Sequence, residues 1–272
     1  MPKMRAFLPV LYCIVALFFS LSVHGADRAS YIAIIMDDLG SSLDRGERLI
    51  QLPNQITYSF LPYSPYAKTL AYSAHQKGKE VMLHLPMEPI SNKNMGPGGL
   101  QAKMEYKQFI ATLREALMAV PFAVGVNNHM GSLLTRSTKN MHWLMQELKM
   151  QDNLYFVDSR THGGTVAAQM ASRNRLKNAT RDIFLDHVIE KNAIDLQFRR
   201  LIKQAKSTGY ALAIGHPHLL TIQALEYWLT IIEERGVQLV PVSEYIRLTT
   251  ERKGNKKIWQ ASLTPLQKVA KN

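Results

Sequence analysis

The feature that most narrows the choice of fold is an alternation. Short apolar runs at 31–37, 56–61, 80–85, 123–127, 155–158, 183–185, 210–215 and 237–242 are separated, for the most part, by stretches with helical spacing. In 107–120 the residues Phe109, Ile110, Leu113, Leu117 and Val120 share one helical face. In 221–235 Ile222, Leu225, Leu229 and Ile232 do the same, and Gly236 supplies the stop. Ser64-Pro65 reads as a cap and first-turn proline that open a helix running toward Gly78. Strands that alternate with helices pair in parallel, each helix being the crossover between two strands. The expected class is α/β: a (β/α) barrel of seven or eight strands, closed or incompletely closed, with a doubly wound open sheet as the alternative.

The ends of the chain are set apart from this pattern. Lys3 and Arg5 precede an almost wholly apolar stretch from Ala6 to Val23, and Val23-His24-Gly25 offers small residues for cleavage. Residues 1–25 are therefore read as a secretory signal, with an uncleaved anchor as the alternative, and membrane contact is expected only there. Either reading exports the remainder, to the periplasm in our expectation. The single cysteine, Cys13, falls inside this segment. The exported part then has no disulfide, and any metal must be held by His, Asp and Glu. Residues 26–250 are expected to form one domain, and 251–272 a basic polar tail carrying Arg252, Lys253, Lys256 and Lys257. The formal charge of +12 falls to +10 without Lys3 and Arg5. Outside the cytoplasm it favours membrane head groups and cell-wall polymers as partners; no nucleic-acid motif is present and no nucleic acid is expected.

In both parallel architectures, functional groups gather at the C-terminal ends of strands. The first run ends in Asp37-Asp38, the third in His84 with Glu88 four residues on, the fourth in Asn127-Asn128-His129, the fifth in Asp158, and the seventh in His216 and His218. An Asp at a strand end also caps the following helix, a task that Ser41, Ser42 or Asp44 can do here. Carboxylate and imidazole without thiol make the ligand set of a catalytic zinc or similar divalent ion: nitrogens, one carboxylate oxygen, and an open position for water. A carboxylate beside such an ion can take the water's proton.

The ordered motifs "MDDLG", "HLPMEP", "NNHMGS", "FVDSRT", "FLD" and "AIGHPH" resemble the divergent polysaccharide deacetylases, an exported bacterial branch of the NodB-like carbohydrate esterases. The resemblance runs from about residue 30 to 246. It implies that Asp37 is the catalytic base and Asp38 a metal ligand, with His84 a second. Glu88 stands where the family has another histidine, so His129 is expected to supply that nitrogen and Glu88 is the alternative ligand. By the same resemblance His216 is the acid for the leaving amine, and Asp158 the carboxylate that orients it. "NNHMGS" stands where the family has an Arg-Pro-rich groove motif, and Asn127 and Asn128 within it are expected substrate contacts, together with Arg160, which can recognise an anionic group. The implied activity is metal-dependent removal of N-acetyl groups from an envelope polysaccharide such as peptidoglycan. Two other readings stay open: a catalytically silent binding relative, and a metal hydrolase of another substrate.

Overall fold

The computed structural model describes residues 29–53, 55–151 and 154–263, with side chains as far as residue 252. The N-terminal apolar segment with Cys13, and the tail beyond 263, lie outside the described residues. The strands are β1 (Tyr31–Leu39), β2 (Thr57–Phe60), β3 (Glu80–Met87), β4 (Ala123–Met130), β5 (Tyr155–Asp158), β6 (Asn178–Thr180), β7 (Ile183–Phe184), β8 (Tyr210–Gly215) and β9 (Gln238–Leu239). The helices are α1 (Leu43–Ile50), α2 (Ala67–Gln76), α3 (Tyr106–Ala119), α4 (Thr138–Met150), α5 (Ala167–Arg173), α6 (Lys191–Thr208), α7 (Leu219–Ile231) and α8 (Val242–Leu263). The backbone of 251–263 thus continues α8. No helix among the described residues is long and apolar enough to cross a membrane.

The strands form one parallel sheet in the order β6-β5-β4-β3-β2-β1-β8-β7, and β9 pairs with the start of β1. The two ends of that order are neighbours in the chain. Arg181 N donates to Asp158 O at 3.0 Å, and the next amide, Asp182 N, donates to Leu212 O at 2.9 Å. One extended segment therefore pairs first with β5 and then with β8, curling the sheet into an incompletely closed barrel. Asn178–Thr180 gave no strand signal because its only apolar residue is Ala179 and all three side chains are half-buried. The reading of Ser64-Pro65 as a cap is two residues early: α2 begins at Ala67 behind Tyr66, and Ser64 Oγ donates to Leu61 O at 2.8 Å.

Side-chain parity along the strands builds two cores. Ile32, Ile34, Met36, Leu83, Leu85, Val126, Phe156, Ala211 and Ala213 face outward and pack under the helices. The alternate residues Ala33, Ile35, Met82, Tyr155, Val157, Leu212 and Ile214 face inward, where Val242, Tyr245 and Ile246 of α8 join them. Helix α8 plugs the end of the barrel at which the strands begin. Its first amides meet β2 and β3: Val242 N donates to Thr57 Oγ1 at 3.1 Å, and Ser243 N to Glu80 Oε1 at 3.2 Å. Glu80 Oε1 also accepts from Thr57 Oγ1 at 2.9 Å and from the Tyr155 hydroxyl at 2.8 Å. A carboxylate at a helix N-terminus satisfies amides that have no partner within the helix.

Candidate metal centre and active site

At the opposite end of the barrel the inward positions turn from apolar to polar. Asp37 follows Ala33 and Ile35 on the inner face of β1, and His84 follows Met82 on β3. Alternation would send Asp38 outward. Instead Met36 pairs with Tyr58 and Leu39 with Phe60, so Asp37 and Asp38 together oppose Ser59 alone. This is a β-bulge, which re-aims a side chain at a sheet rim. Asp38 carries the left-handed backbone the bulge requires, at φ 57°, a conformation Asp tolerates better than most residues. Two consecutive carboxylates thereby reach one site. Neither caps the next helix; Ser42 does, accepting from Arg45 N at 3.4 Å.

Asp38, His84 and His129 converge. Asp38 Oδ1 lies 2.9 Å from His129 Nδ1 and 3.1 Å from His84 Nε2, and the two nitrogens are 3.2 Å apart. Although buried and this close to two rings, Asp38 Oδ1 has no in-line hydrogen-bond partner. Three donor atoms aimed at a common point, not at one another, suit a cation: ligands bound at about 2.0–2.1 Å around a tetrahedral ion stand about 3.3 Å apart. One oxygen and two nitrogens are a borderline donor set of the kind zinc accepts. The residues present fit a divalent metal.

Asn127 fixes the orientation of this group from below. Its Nδ2 donates to Asp37 Oδ1 at 2.7 Å, since two carbonyl-type oxygens would repel there. Its Oδ1 consequently accepts from Ser59 Oγ at 2.7 Å and from His84 Nδ1 at 2.8 Å. With its proton on Nδ1, the His84 ring presents the Nε2 lone pair to the cluster. Burial raises the Asp37 carboxyl, and this outweighs the lowering by His84, His216 and Asn127. Burial also disfavours the Asp38 anion, but His129 and His84 overcome it and hold the group well below the usual range. For His84 burial acts downward, and the carboxylates of Asp37 and Asp38 more than offset it, so its pKa rises.

His216 enters from the other side, with Nε2 3.9 Å from Asp38 Oδ2. Its Nδ1 lies 2.9 Å from Asp186 Oδ1, and its backbone amide donates to Asp186 Oδ2 at 2.6 Å. Thr221 Oγ1 donates to the same Oδ2 at 2.9 Å. Burial lowers the imidazole, but the Asp186 hydrogen bond and charge, followed by Asp37 and Asp38, push it up to about 9.

Four expectations are corrected by this geometry. Asp158 does not orient His216; Asp186 does. On β5, Tyr155 and Val157 face inward, so Asp158 faces out, accepting from Arg160 N at 2.9 Å, Thr165 Oγ1 at 3.0 Å and Ala168 N at 3.3 Å. Glu88 stands outside the metal cluster, accepting from Ala102 N through Oε2 at 2.6 Å and so holding the loop after β3. Asn127 is fully buried beneath the site and cannot touch a substrate. Asn128 faces away as well, donating to Met130 O at 2.8 Å and accepting from Ser159 N at 2.9 Å. Arg160 remains exposed, its carbonyl held by Arg181 Nη2 at 3.1 Å. Phe184 lies beside His216, with ring centroids 5.4 Å apart, and a two-residue step from it gives Asp186 the same face; the motif "FLD" carries this acid but not the identity of its partner.

Comparison with known proteins agrees with this architecture. Residues 34–246 match the family described as divergent polysaccharide deacetylase. The chain is 38% identical over 198 residues to the uncharacterized protein YibQ of Escherichia coli K12, covering 73% of this chain but 62% of that relative, under two thirds of its length. Among solved structures, the uncharacterized protein ATU2773 of Agrobacterium tumefaciens C58 superposes with TM-score 0.76 at 23% identity, covering 80% of this chain and 89% of that one. The peptidoglycan deacetylase PdaC of Bacillus subtilis does so with TM-score 0.52 at 15% identity, covering 86% and 98% respectively. The structural likenesses establish the incompletely closed NodB-like barrel. The match over residues 34–246 establishes more: this chain is a member of the divergent polysaccharide deacetylase family.

Proposed function

We propose that the protein is an exported, periplasmic metal-dependent hydrolase that removes N-acetyl groups from an envelope polysaccharide, with peptidoglycan the leading substrate class. The observation that carries this reading is the convergence of Asp38, His84 and His129 between a buried carboxyl on one side and the His216–Asp186 pair on the other. Binding alone needs no such opposition of base and acid across one metal-ligand set. The fold shared with PdaC, a peptidoglycan deacetylase by name, lends support of the same direction.

In this reading Asp38, His84 and His129 hold the ion. When bound, a divalent cation of the zinc kind lowers the pKa of a water toward neutrality and polarises a carbonyl. Asp37 hydrogen-bonds through Oδ1 to Asn127, and its Oδ2 makes no hydrogen bond among the described residues, which leaves it to accept the proton of the attacking water. Its raised proton affinity suits a base working near neutral pH. His216, cationic at neutral pH, gives its Nε2 proton to the departing amine, while Asp186 holds Nδ1 and stabilises the ring's charge. Arg160 at the rim is assigned to substrate contact.

The test has two readouts. Elemental analysis of the full chain purified from its exported compartment is expected to give one divalent ion per chain, and acetylated peptidoglycan fragments and chitin oligomers to yield acetate. Asp37→Asn should keep the metal and lose the acetate. Metal without acetate from any acetylated glycan would point to another substrate, and a chain with no metal at all would sink the hydrolytic reading.

A further inference from the structure

A cleft far from this site has an unexplained composition. Arg199, Ile202, Lys203 and Lys206 of α6, with Trp228 of α7 and Arg235 just beyond it, line a cavity of ≈ 300 Å³. Ile202 and Trp228 are buried and form its floor, and the four cations are exposed around it. Arg199 lies over the Trp228 ring, 5.6 Å from its centroid. Among the described residues none of the four is paired with a carboxylate. Asp195, the acid nearest in sequence on α6, is engaged by Trp228 Nε1 at 2.9 Å. Glu233 and Glu234 line no part of the cleft. The negative end of a helix accounts for Lys206 in the last turn of α6, but not for Arg199 and Lys203 further in.

The position of the cleft says more than its charge. Both helices end where the strands begin, at the end of the barrel opposite the metal-ligand cluster. Lys206 lies against Gly236, its Cε 3.7 Å from where a Cβ would stand, and Arg252 packs against Gly209 beside the C-terminus of α6. Tyr31 N donates to Gly209 O at 2.9 Å, so the chain enters the described structure at this same end, after the apolar stretch Ala6–Val23. Strand β8 carries the chain from here to His216 at the mouth, roughly 20 Å away. Helix α8 leaves from the same end and continues in sequence through Lys253, Lys256 and Lys257.

We propose that the α6–α7 cleft seats the phosphate of an anionic lipid head group, docking this end of the barrel on a membrane surface and turning the catalytic mouth away from it. Clustered Lys and Arg beside an apolar segment are the sequence form of such recognition. The buried Trp228 and Ile202 floor provides an apolar surface beneath the charged ring. This assignment does not depend on the hydrolytic reading.

A chain that retains the apolar stretch Ala6–Val23 would partition into any bilayer, so the informative quantity is a ratio. Binding would be measured by flotation with phosphatidylcholine vesicles and with vesicles in which part of the lipid is phosphatidylglycerol, at low salt. The ratio should favour the anionic vesicles, and Lys203→Glu combined with Lys206→Glu should cut it by about tenfold or more, at about fivefold per cation. Lys107→Glu combined with Lys149→Glu changes net charge equally on α3 and α4 and should cut it by clearly less. Equal losses in both pairs would overturn the cleft in favour of diffuse charge. No preference for anionic vesicles would overturn the proposal outright. Abolition of the preference by millimolar inorganic phosphate, at matched ionic strength, would reassign the cleft to free phosphate.

Discussion

Asp38 is the residue on which the geometry of the centre turns. The bulge in β1 places its carboxylate beside that of Asp37, and the left-handed backbone at φ 57° is the condition for the bulge. Ligand and backbone roles can be separated by substitution. Asp38→Asn retains a side chain that tolerates the conformation, so the fold should survive with little loss while metal occupancy drops toward zero. Asp38→Ala should lose the metal as well and cost about 1–2 kcal/mol more in backbone strain, read as a lower urea midpoint of the metal-free protein. Equal metal content in wild type and both variants would remove Asp38 from the ligand set. Little of this was legible in the sequence beyond the carboxylates themselves: "MDDLG" announces two acids at a strand end but not that both reach the same side.

At the scale of the element, strand parity decides which rim residues are available. Asp158 ends β5 and Asp186 lies two residues beyond β7, yet one faces α5 and the other faces His216. Their substitutions should differ in pH dependence. His216 holds its proton more tightly folded, at about 9, than unfolded, at ~6.5, so its contribution to stability is complete below ~6.5 and fades as pH rises through about 9. In the metal-free protein that contribution is on the order of 3 kcal/mol. Asp186→Asn should remove most of this loss from the curve of unfolding free energy against pH. Asp158→Asn should lower stability by about 1–2 kcal/mol through lost hydrogen bonds and leave the loss between ~6.5 and about 9 in place. A flattened slope in Asp158→Asn would restore the original assignment. Sequence motifs place both acids at strand ends, but strand ends assigned one residue wrong invert the face, and for β7 only Ile183 and Phe184 form the strand.

For the whole molecule, α8 is the element that completes the barrel. Val242, Tyr245 and Ile246 cover the inner apolar layer, and Glu80, far away in the chain, holds the first amides of the helix. Ile246→Ala should therefore cost about 2–5 kcal/mol, as a core truncation does, although it lies near the C-terminal end of the domain. Urea unfolding measures this, and a loss within experimental error would mean that the plug contributes nothing to the fold. The metal-ligand atoms lie at the other end and should keep their occupancy in this variant. By itself the sequence determined the α/β class, the parallel alternation, the strand-end acids and histidines, and the apolar, buried face of α3 and α7. These follow from local periodicity and from residue chemistry, which need no knowledge of neighbours. Only the tertiary structure decided that Asp186 serves His216, that Asn127 lies beneath the site and that Glu88 turns to a loop. Those outcomes depend on bulge, register and face, and a shift of one residue in a strand moves a side chain from one side of the sheet to the other.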